Sequence, residues 1–225
     1  MNLLALDTST EYCSVALWRD AAVVQRDVHA GQRHSELLLG MVDEVLAEGG
    51  LALANLDAIA FGAGPGTFTG LRIGCGVVQG LAFGIDRPVV AVGTLLALAV
   101  SSGAARAICC LDARMHEVYF GAYERDGAAW RVVHEPALYA PADVPLLPGD
   151  GWTGCGSGFL AYGDVLTARY GATLATVLPH AHPEARHVAA LAVDAYARGA
   201  AVPAERAAPF YLRDKVALKT HERAA

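Results

Sequence analysis

The sequence predicts an α/β protein in which one strand-and-helix pattern is used twice. The opening run Leu3-Leu4-Ala5-Leu6-Asp7 returns later as Ile108-Cys109-Cys110-Leu111-Asp112. Each run ends in Leu-Asp and leads into two more strand-like segments, which marks an internal duplication. A glycine-rich strand-to-helix connection punctuates the first half. With 225 residues, 54% of them hydrophobic and 18% charged, the chain can bury a substantial core.

Asn2 to Leu6 reads as an apolar strand, Asp7-Thr8-Ser9-Thr10 as a polar turn and Cys13 to Trp18 as a second strand. Arg19-Asp20 then turns the chain into a third strand over Val23 to Val28. Three strands on short connections make an antiparallel meander. Ser35 is placed to cap the next helix, and Glu36 sits in its first turn, where the dipole favours an acid. That helix runs to about Glu48 and is stopped by Gly49-Gly50. Its apolar residues Leu37, Leu38, Leu39, Met41, Val42, Val45 and Leu46 span an arc of roughly 200°, wider than one core contact needs. Two apolar neighbours are expected.

The stretch from Leu56 to Ile85 organises the half around it. Asp57 to Phe61 is short and apolar and runs into Gly62, Gly64, Pro65 and Gly66, the pattern of a buried strand entering a tight loop. Thr67 or Thr69 can cap the helix that follows. At about 100° per residue, Gly70, Gly74, Gly76, Gly80 and Gly84 share an arc of roughly 160° with Ile73 and Val77. Each glycine costs about 1 kcal/mol of helix propensity relative to alanine, so close approach is the expected compensation. The approaching surface is either the protein's own sheet or helices, or another chain. The loop is not a common phosphate cradle: it lacks a Gly-Lys-Ser/Thr ending, and Gly62, Gly64 and Gly66 lack the GxGxxG spacing. The uncharged run from Pro88 to Ala105 is divided by Gly93-Thr94 and Ser101-Ser102-Gly103. It reads as a strand over Val89 to Val92 and a short helix, not a membrane span.

In the second half, Val118 to Tyr123 and Trp130 to Val133 repeat the second and third strands, and Arg125-Asp126 matches Arg19-Asp20. A proline-rich connection follows (Pro136, Pro141, Pro145, Pro148), then a strand at Trp152 to Gly154 and a helix near Phe159 to Tyr170. Another helix runs from about His187 to Arg198, and the polar tail after Arg213 is expected to be loose. The expected division is a lobe over 1–103, a smaller lobe over 104–203 and a terminal segment over 204–225.

The net charge of −6 argues against this chain gripping a nucleic-acid backbone by itself. Cys13, Cys75, Cys109, Cys110 and Cys155 are odd in number and contain no CxxC, which fits a reducing cytoplasm better than a disulfide framework. The opening MNLLALD has no basic region and is wrong for a signal peptide. His180, His182 and His187, with Glu184, are candidate metal ligands, but their proline- and alanine-rich setting favours a solvated loop. His29 and His34 read as turn and cap residues. Ser157 is not at a nucleophile elbow, because Cys155 and Phe159 take the glycine places. Cys109 and Cys110, adjacent on a strand, point to opposite faces, so at least one belongs to the core.

Two such halves back to back resemble the actin, Hsp70 and sugar-kinase (ASKHA) fold, with two duplicated βββαβα lobes of which the second is degenerate. A closer resemblance rests on Asp7-Thr8-Ser9-Thr10, His34-Ser35-Glu36-Leu37-Leu38, Gly64-Pro65-Gly66-Thr67-Phe68-Thr69-Gly70-Leu71-Arg72, Leu111-Asp112-Ala113-Arg114 with Glu117-Val118-Tyr119, and Tyr211-Leu212-Arg213. In order and over nearly the whole chain, these segments resemble the TsaB (YeaZ) family. The resemblance implies a bacterial, cytoplasmic partner in tRNA modification. Such proteins support TsaD, a relative of the same fold that transfers a threonylcarbamoyl group from its adenylate to the N6 amine of adenosine 37, in tRNAs reading codons that begin with A. TsaC makes the adenylate, and the ATPase TsaE joins the assembly.

On this resemblance, the first helix (Leu37, Leu38, Met41, Val45) and the glycine face of the second (Gly70, Ile73, Gly74, Gly76, Val77, Gly80) are expected to meet an equivalent helix pair of TsaD. Without TsaD, a second copy would take its place in an isologous homodimer. tRNA is met only through the complex, and no membrane is involved. In active members of the fold, hairpin turns from both halves clasp nucleotide phosphates. Asp7, Thr8, Ser9 and Thr10 keep small hydroxylated residues there, whereas Ala113-Arg114-Met115-His116 replaces them with bulky ones. Asp112 ends its strand at the cleft, as a turn cap or a binding acid. Catalytic relatives carry a His-xxx-His metal pair, which Gly93-Thr94-Leu95-Leu96-Ala97-Leu98 lacks. A non-catalytic subunit is expected, with a vestigial nucleotide turn, no metal and no resident cofactor; ATP or ADP would lie at the complex interface. The competing reading is an independent ATPase or kinase of this fold.

Overall fold

The computed structural model of the protein describes residues 1–213, and its two sheets share one strand order. β1 (Asn2–Asp7), β2 (Tyr12–Arg19) and β3 (Ala22–His29) form the antiparallel meander. β4 (Ala58–Gly64) joins β1 in parallel and β5 (Val89–Gly93) joins β4, giving the order β3-β2-β1-β4-β5. In the second sheet β6 (Arg106–Asp112), β7 (Val118–Asp126), β8 (Ala129–Tyr139), β9 (Trp152–Cys155) and β10 (Leu174–Leu178) run β10-β9-β6-β7-β8. Read from the β8 edge, this is the order of the first sheet, with β6 in the place of β1 and β9 in the place of β4.

The helices are α1 (His34–Glu48), α2 (Phe68–Gly84), α3 (Thr94–Ser101), α4 (Ser157–Tyr170) and α5 (Ala185–Ala197). Among the described residues, the second half has no counterpart of α1. Between β8 and β9 lie only the 3-10 turn Pro141–Asp143 and the proline-rich connection, where prolines remove the backbone donors a helix needs.

Leu4, Leu6, Val15, Leu17, Ile59 and Phe61 of the first sheet pack beneath α1 and α2. The opposite face, with Leu3, Ala5, Ala16, Ala58 and Val90, is covered by Ala185, Val188, Ala189 and Ala192 of α5. The second sheet is covered by Phe159 and Leu166 of α4 on one face and by Leu95, Leu98 and Ala99 of α3 on the other. Each half therefore lends a helix to the other's sheet. The boundaries at 103 and 203 separate the sheets but not their helical covers. After α5, Val202 pairs with Val89, and Ala204 and Ala207 enter the first core. The expected loose tail lies outside the described residues.

Several local expectations are corrected. α1 begins at His34 after Arg33, and Ser35 caps nothing; His34 Nε2 instead lies 3.1 Å from the Tyr12 carbonyl. Thr67 precedes α2, but its hydroxyl makes no capping bond, and Thr69 lies inside the helix. β4 continues through Gly62 to Gly64, and β10 was not predicted. All five cysteines are free and buried, Cys109 and Cys110 both included. Among the described residues, no helix is long and apolar enough to cross a membrane.

Candidate functional site

α1 and α2 lie side by side on the first sheet. Five of the predicted contact residues are taken up by the chain itself. Leu38, Met41 and Val45 are buried in the first core. Gly70 and Gly74 face Thr8: a Cβ on Gly70 would run into the Thr8 carbonyl, and one on Gly74 would stand 2.5 Å from Thr8 Oγ1. The contact surface is corrected accordingly, because these faces are already filled. Leu37, Ile73 and Val77 are half-buried at the rim. Gly76 and Gly80 are exposed, with open space where a Cβ would stand. Phe83, 78% exposed, continues this stripe, and Leu39 on α1 is 51% exposed. Sequence reasoning missed Phe83, although it follows Ile73, Gly76, Val77 and Gly80 at helical spacing.

The turn ends of the two sheets face a cleft of about 460 Å3, lined among others by Ser9, Thr10, Asp112, Arg114, Ser157 and Arg213. In the first turn, Thr8 Oγ1 donates to the Gly70 carbonyl at 2.7 Å. Ser9 donates to Asp7 Oδ1 from its hydroxyl at 2.6 Å and from its N–H at 2.9 Å. Thr10 Oγ1 accepts from Tyr12 N–H at 3.2 Å. Asp7 is buried, and its Oδ2 has no partner among the described residues. Burial pushes its pKa up to about 6, against the opposing hydrogen bonds from Ser9.

The second turn is built differently. Arg114, Met115 and His116 are successive left-handed residues, with φ of 61°, 56° and 59°. Asp112 accepts from the Arg114 N–H and guanidinium, both at 2.9 Å, and its own N–H donates to Ser157 Oγ at 3.1 Å. Asp112 thus both caps the turn and lines the cleft. A nucleotide phosphate would need free donors from both turns. The Thr8 and Ser9 hydroxyls donate inward and the second turn carries bulky residues, so the two turns do not fit that group.

His182 does not sit in a solvated loop. Its Nε2 lies 2.9 Å from Asp27 Oδ2, and its ring stacks on Tyr12 at 3.6 Å and 5°. Burial works against its protonation, yet the hydrogen bond and charge of Asp27 raise its pKa above the ordinary value. Beside it, Ser14 Oγ and Gln25 Oε1 accept from the N–H groups of Ala185 and Arg186 at 2.9 and 3.1 Å, holding the start of α5. Among the described residues, no group of three or more His, Cys, Asp or Glu is arranged to hold a metal ion.

Two sheets of one strand order, related by duplication and facing each other across a cleft, define an actin, Hsp70 and sugar-kinase type protein. The family model described as "TsaD: tRNA N6-adenosine threonylcarbamoyltransferase" matches residues 27–220. The Escherichia coli "tRNA threonylcarbamoyladenosine biosynthesis protein TsaB" is 38% identical, over 97% of this chain and 97% of its own. Its Haemophilus influenzae namesake is 36% identical, over 97% and 96%. The solved structure of YeaZ from Pseudomonas aeruginosa superposes with a TM-score of 0.86 at 43% identity, covering 94% of this chain and 99% of that one. The chain belongs to the TsaB (YeaZ) family.

Proposed function

We propose that this protein acts in tRNA threonylcarbamoyladenosine biosynthesis as a non-catalytic subunit, and that it binds a TsaD-type partner through the outer surface of α1 and α2. The observation that carries this reading is the open half of the glycine stripe. Among the described residues, Gly76 and Gly80 have no neighbour where a side chain would stand, while the apolar Phe83 beside them is exposed. Glycines at helical spacing let a second helix approach closely, and burying Phe83 would drive the contact. The chain matches a TsaD model over residues 27–220, so a TsaD-type partner carries an equivalent helix pair. Two related pairs would pack as a four-helix interface. Without the partner, two copies of this chain would use the same surface as a homodimer. TsaE recruitment and tRNA contact follow through the complex, and a nucleotide, where one binds, sits at the subunit interface.

Gly76→Leu or Gly80→Leu is expected to weaken association with the TsaD-type partner without lowering the thermal midpoint, because each replaces a glycine by a better helix former in open space. Light scattering of the mixed proteins reads the first effect and calorimetry the second; unchanged assembly would count against the surface. In a reconstituted threonylcarbamoylation assay, with the adenylate-forming enzyme, TsaE and ATP supplied, this chain alone should be inactive and its mixture with the partner active. Modification of tRNA by this chain alone would replace the proposal with an enzyme reading.

A further inference from the structure

Among the described residues, no hydrogen bond runs directly between residues 1–93 and residues 106–178. The two sheets are joined through the shared helices α3 and α5 and, at the mouth of the cleft, through the segment that ends the described chain. Phe210 N–H donates to the Ala63 carbonyl at 2.7 Å, which fixes that segment to the first lobe. A Cβ at Gly64, whose φ is 121°, would collide with the Phe210 carbonyl, so the segment lies directly against the glycine loop. Tyr211 packs on Phe68 at 5.6 Å, and its hydroxyl accepts from Arg72 Nε at 3.2 Å. The Arg72 guanidinium itself covers Phe68 at 4.0 Å.

Two residues further on, the chain has crossed to the second lobe. Arg213 donates to the carbonyl of Ala113 at 2.9 Å and of Arg114 at 3.5 Å and pairs with Glu117. Its side chain is only 12% exposed. The carbonyls it holds begin the left-handed run Arg114-Met115-His116. Three successive non-glycine residues in that region carry a steric cost and persist only where their surroundings over-determine them. Within the lobe, Asp112 restrains the turn, and backbone bonds from the Ala113 N–H to the Glu117 carbonyl at 2.9 Å and from the Glu117 N–H to the Arg114 carbonyl at 3.1 Å close it. Arg213 adds a restraint from the far side of the cleft, with a planar guanidinium that can serve two carbonyls and a carboxylate together.

We propose that Tyr211 to Arg213 is a clasp between the lobes. Tyr211 anchors it on the start of α2, Arg213 holds the left-handed turn of the second lobe, and release of Arg213 relaxes that turn and opens the mouth of the cleft. Because Arg213 also lines the cleft, the clasp sets both its width and its access. The inference does not rest on the α1–α2 contact surface: the clasp touches α2 only at Phe68 and Arg72 in its first two turns, whereas Gly76, Gly80 and Phe83 lie further along the helix.

Spin labels at Thr69→Cys on α2 and Thr167→Cys on α4, both exposed positions, report the distance between the lobes, since the five native cysteines are buried. In the otherwise unchanged chain a single narrow distance distribution is expected. Arg213→Ala should give a longer and broader one while unfolding remains cooperative, together with faster amide exchange across residues 113–117. Arg213→Lys, which keeps the charge but not the planar fork, should fall between the two, and it decides the question if the alanine variant does not fold. Distance distributions and exchange rates in Arg213→Lys and Arg213→Ala that match the parent would overturn the clasp and assign interlobe geometry to α3 and α5 alone.

Discussion

Gly74 and Gly76 are near neighbours on α2, yet side chains at the two positions would meet opposite surroundings. A methyl on Gly74 would press on Thr8 Oγ1 and one on Gly70 on the Thr8 carbonyl, where Thr8 donates to the Gly70 carbonyl. Overpacking of this kind costs about 1–3 kcal/mol, which outweighs the roughly 1 kcal/mol of helix propensity that alanine restores. At Gly76 nothing lies within 4 Å, so only the propensity gain is left. Gly70→Ala and Gly74→Ala are therefore expected to lower the urea-unfolding free energy by up to about 2 kcal/mol. Gly76→Ala should raise it by up to about 1 kcal/mol. Equal effects at Gly74 and Gly76 would show that the stripe is not divided between an inner and an outer half. The glycine arc itself was legible, because helical phase says which residues share a side. What lies opposite was not: Thr8 is 62 residues away from Gly70 along the chain.

At the scale of elements, the meander and the repeat of its three strands in the second half followed from turn residues and repeated Leu-Asp endings, whereas the order of strands in each sheet came from the structure. β1 shows no alternation because helices cover both faces of its sheet, so Leu3, Leu4, Ala5 and Leu6 are all buried. β10, five residues at a sheet edge, carries too short an apolar pattern to stand out. The seam that seats α5 was equally hidden. Asp7, Ser14 and Asp27 lie opposite one another across β1, β2 and β3, and His182 meets Asp27 across 155 residues of sequence. This seam makes stability depend on pH. With Asp7 raised by burial from 3.8 to about 6, the folded protein keeps a proton that the unfolded chain has released. Stability therefore falls as pH rises from about 4 to about 6, by about 3 kcal/mol in all. His182, also raised, contributes stability that is complete below its ordinary value of 6.5 and is lost as pH climbs through its higher folded value. Burial pushes Asp27 up, but the His182 hydrogen bond, the neighbouring Ser14 hydroxyl and the nearby positive charge win and hold it low, so its contribution is lost only as pH drops through that lowered value. Asp7→Asn keeps an acceptor for Ser9 and removes the charge. Urea midpoints between about pH 4 and pH 8 should lose the lower part of the slope in this variant and retain the part due to His182. A slope identical to that of the parent would mean that Asp7 titrates normally in the fold.

At the scale of the whole molecule, the exchange of helices makes the two halves depend on each other for folding. Residues 1–103 contain all of the first sheet, but the cover for Leu3, Ala5, Ala58, Ala60, Val90 and Val92 comes from α5 in the other half. Residues 104–213 contain all of the second sheet, but Cys109, Leu111 and Tyr123 are covered by α3 from the first half. A chain divided after Gly103 leaves each fragment with one apolar sheet face open to water. Burial of such a face contributes about 25 cal/mol for each Å2 removed from solvent, and the net stability of a domain is only about 5–15 kcal/mol. Losing the cover from one face is enough to abolish folding. Fragments 1–103 and 104–225 are each expected to lack a cooperative unfolding transition by circular dichroism. Their mixture should regain one, because α3 and α5 can then reach the sheets they cover. The sheets repeat as separate units while the cores do not, so a cooperative transition in either fragment alone would show that its remaining helices close the open face unaided. The exchanged helices would then join two independent lobes without being needed to fold them.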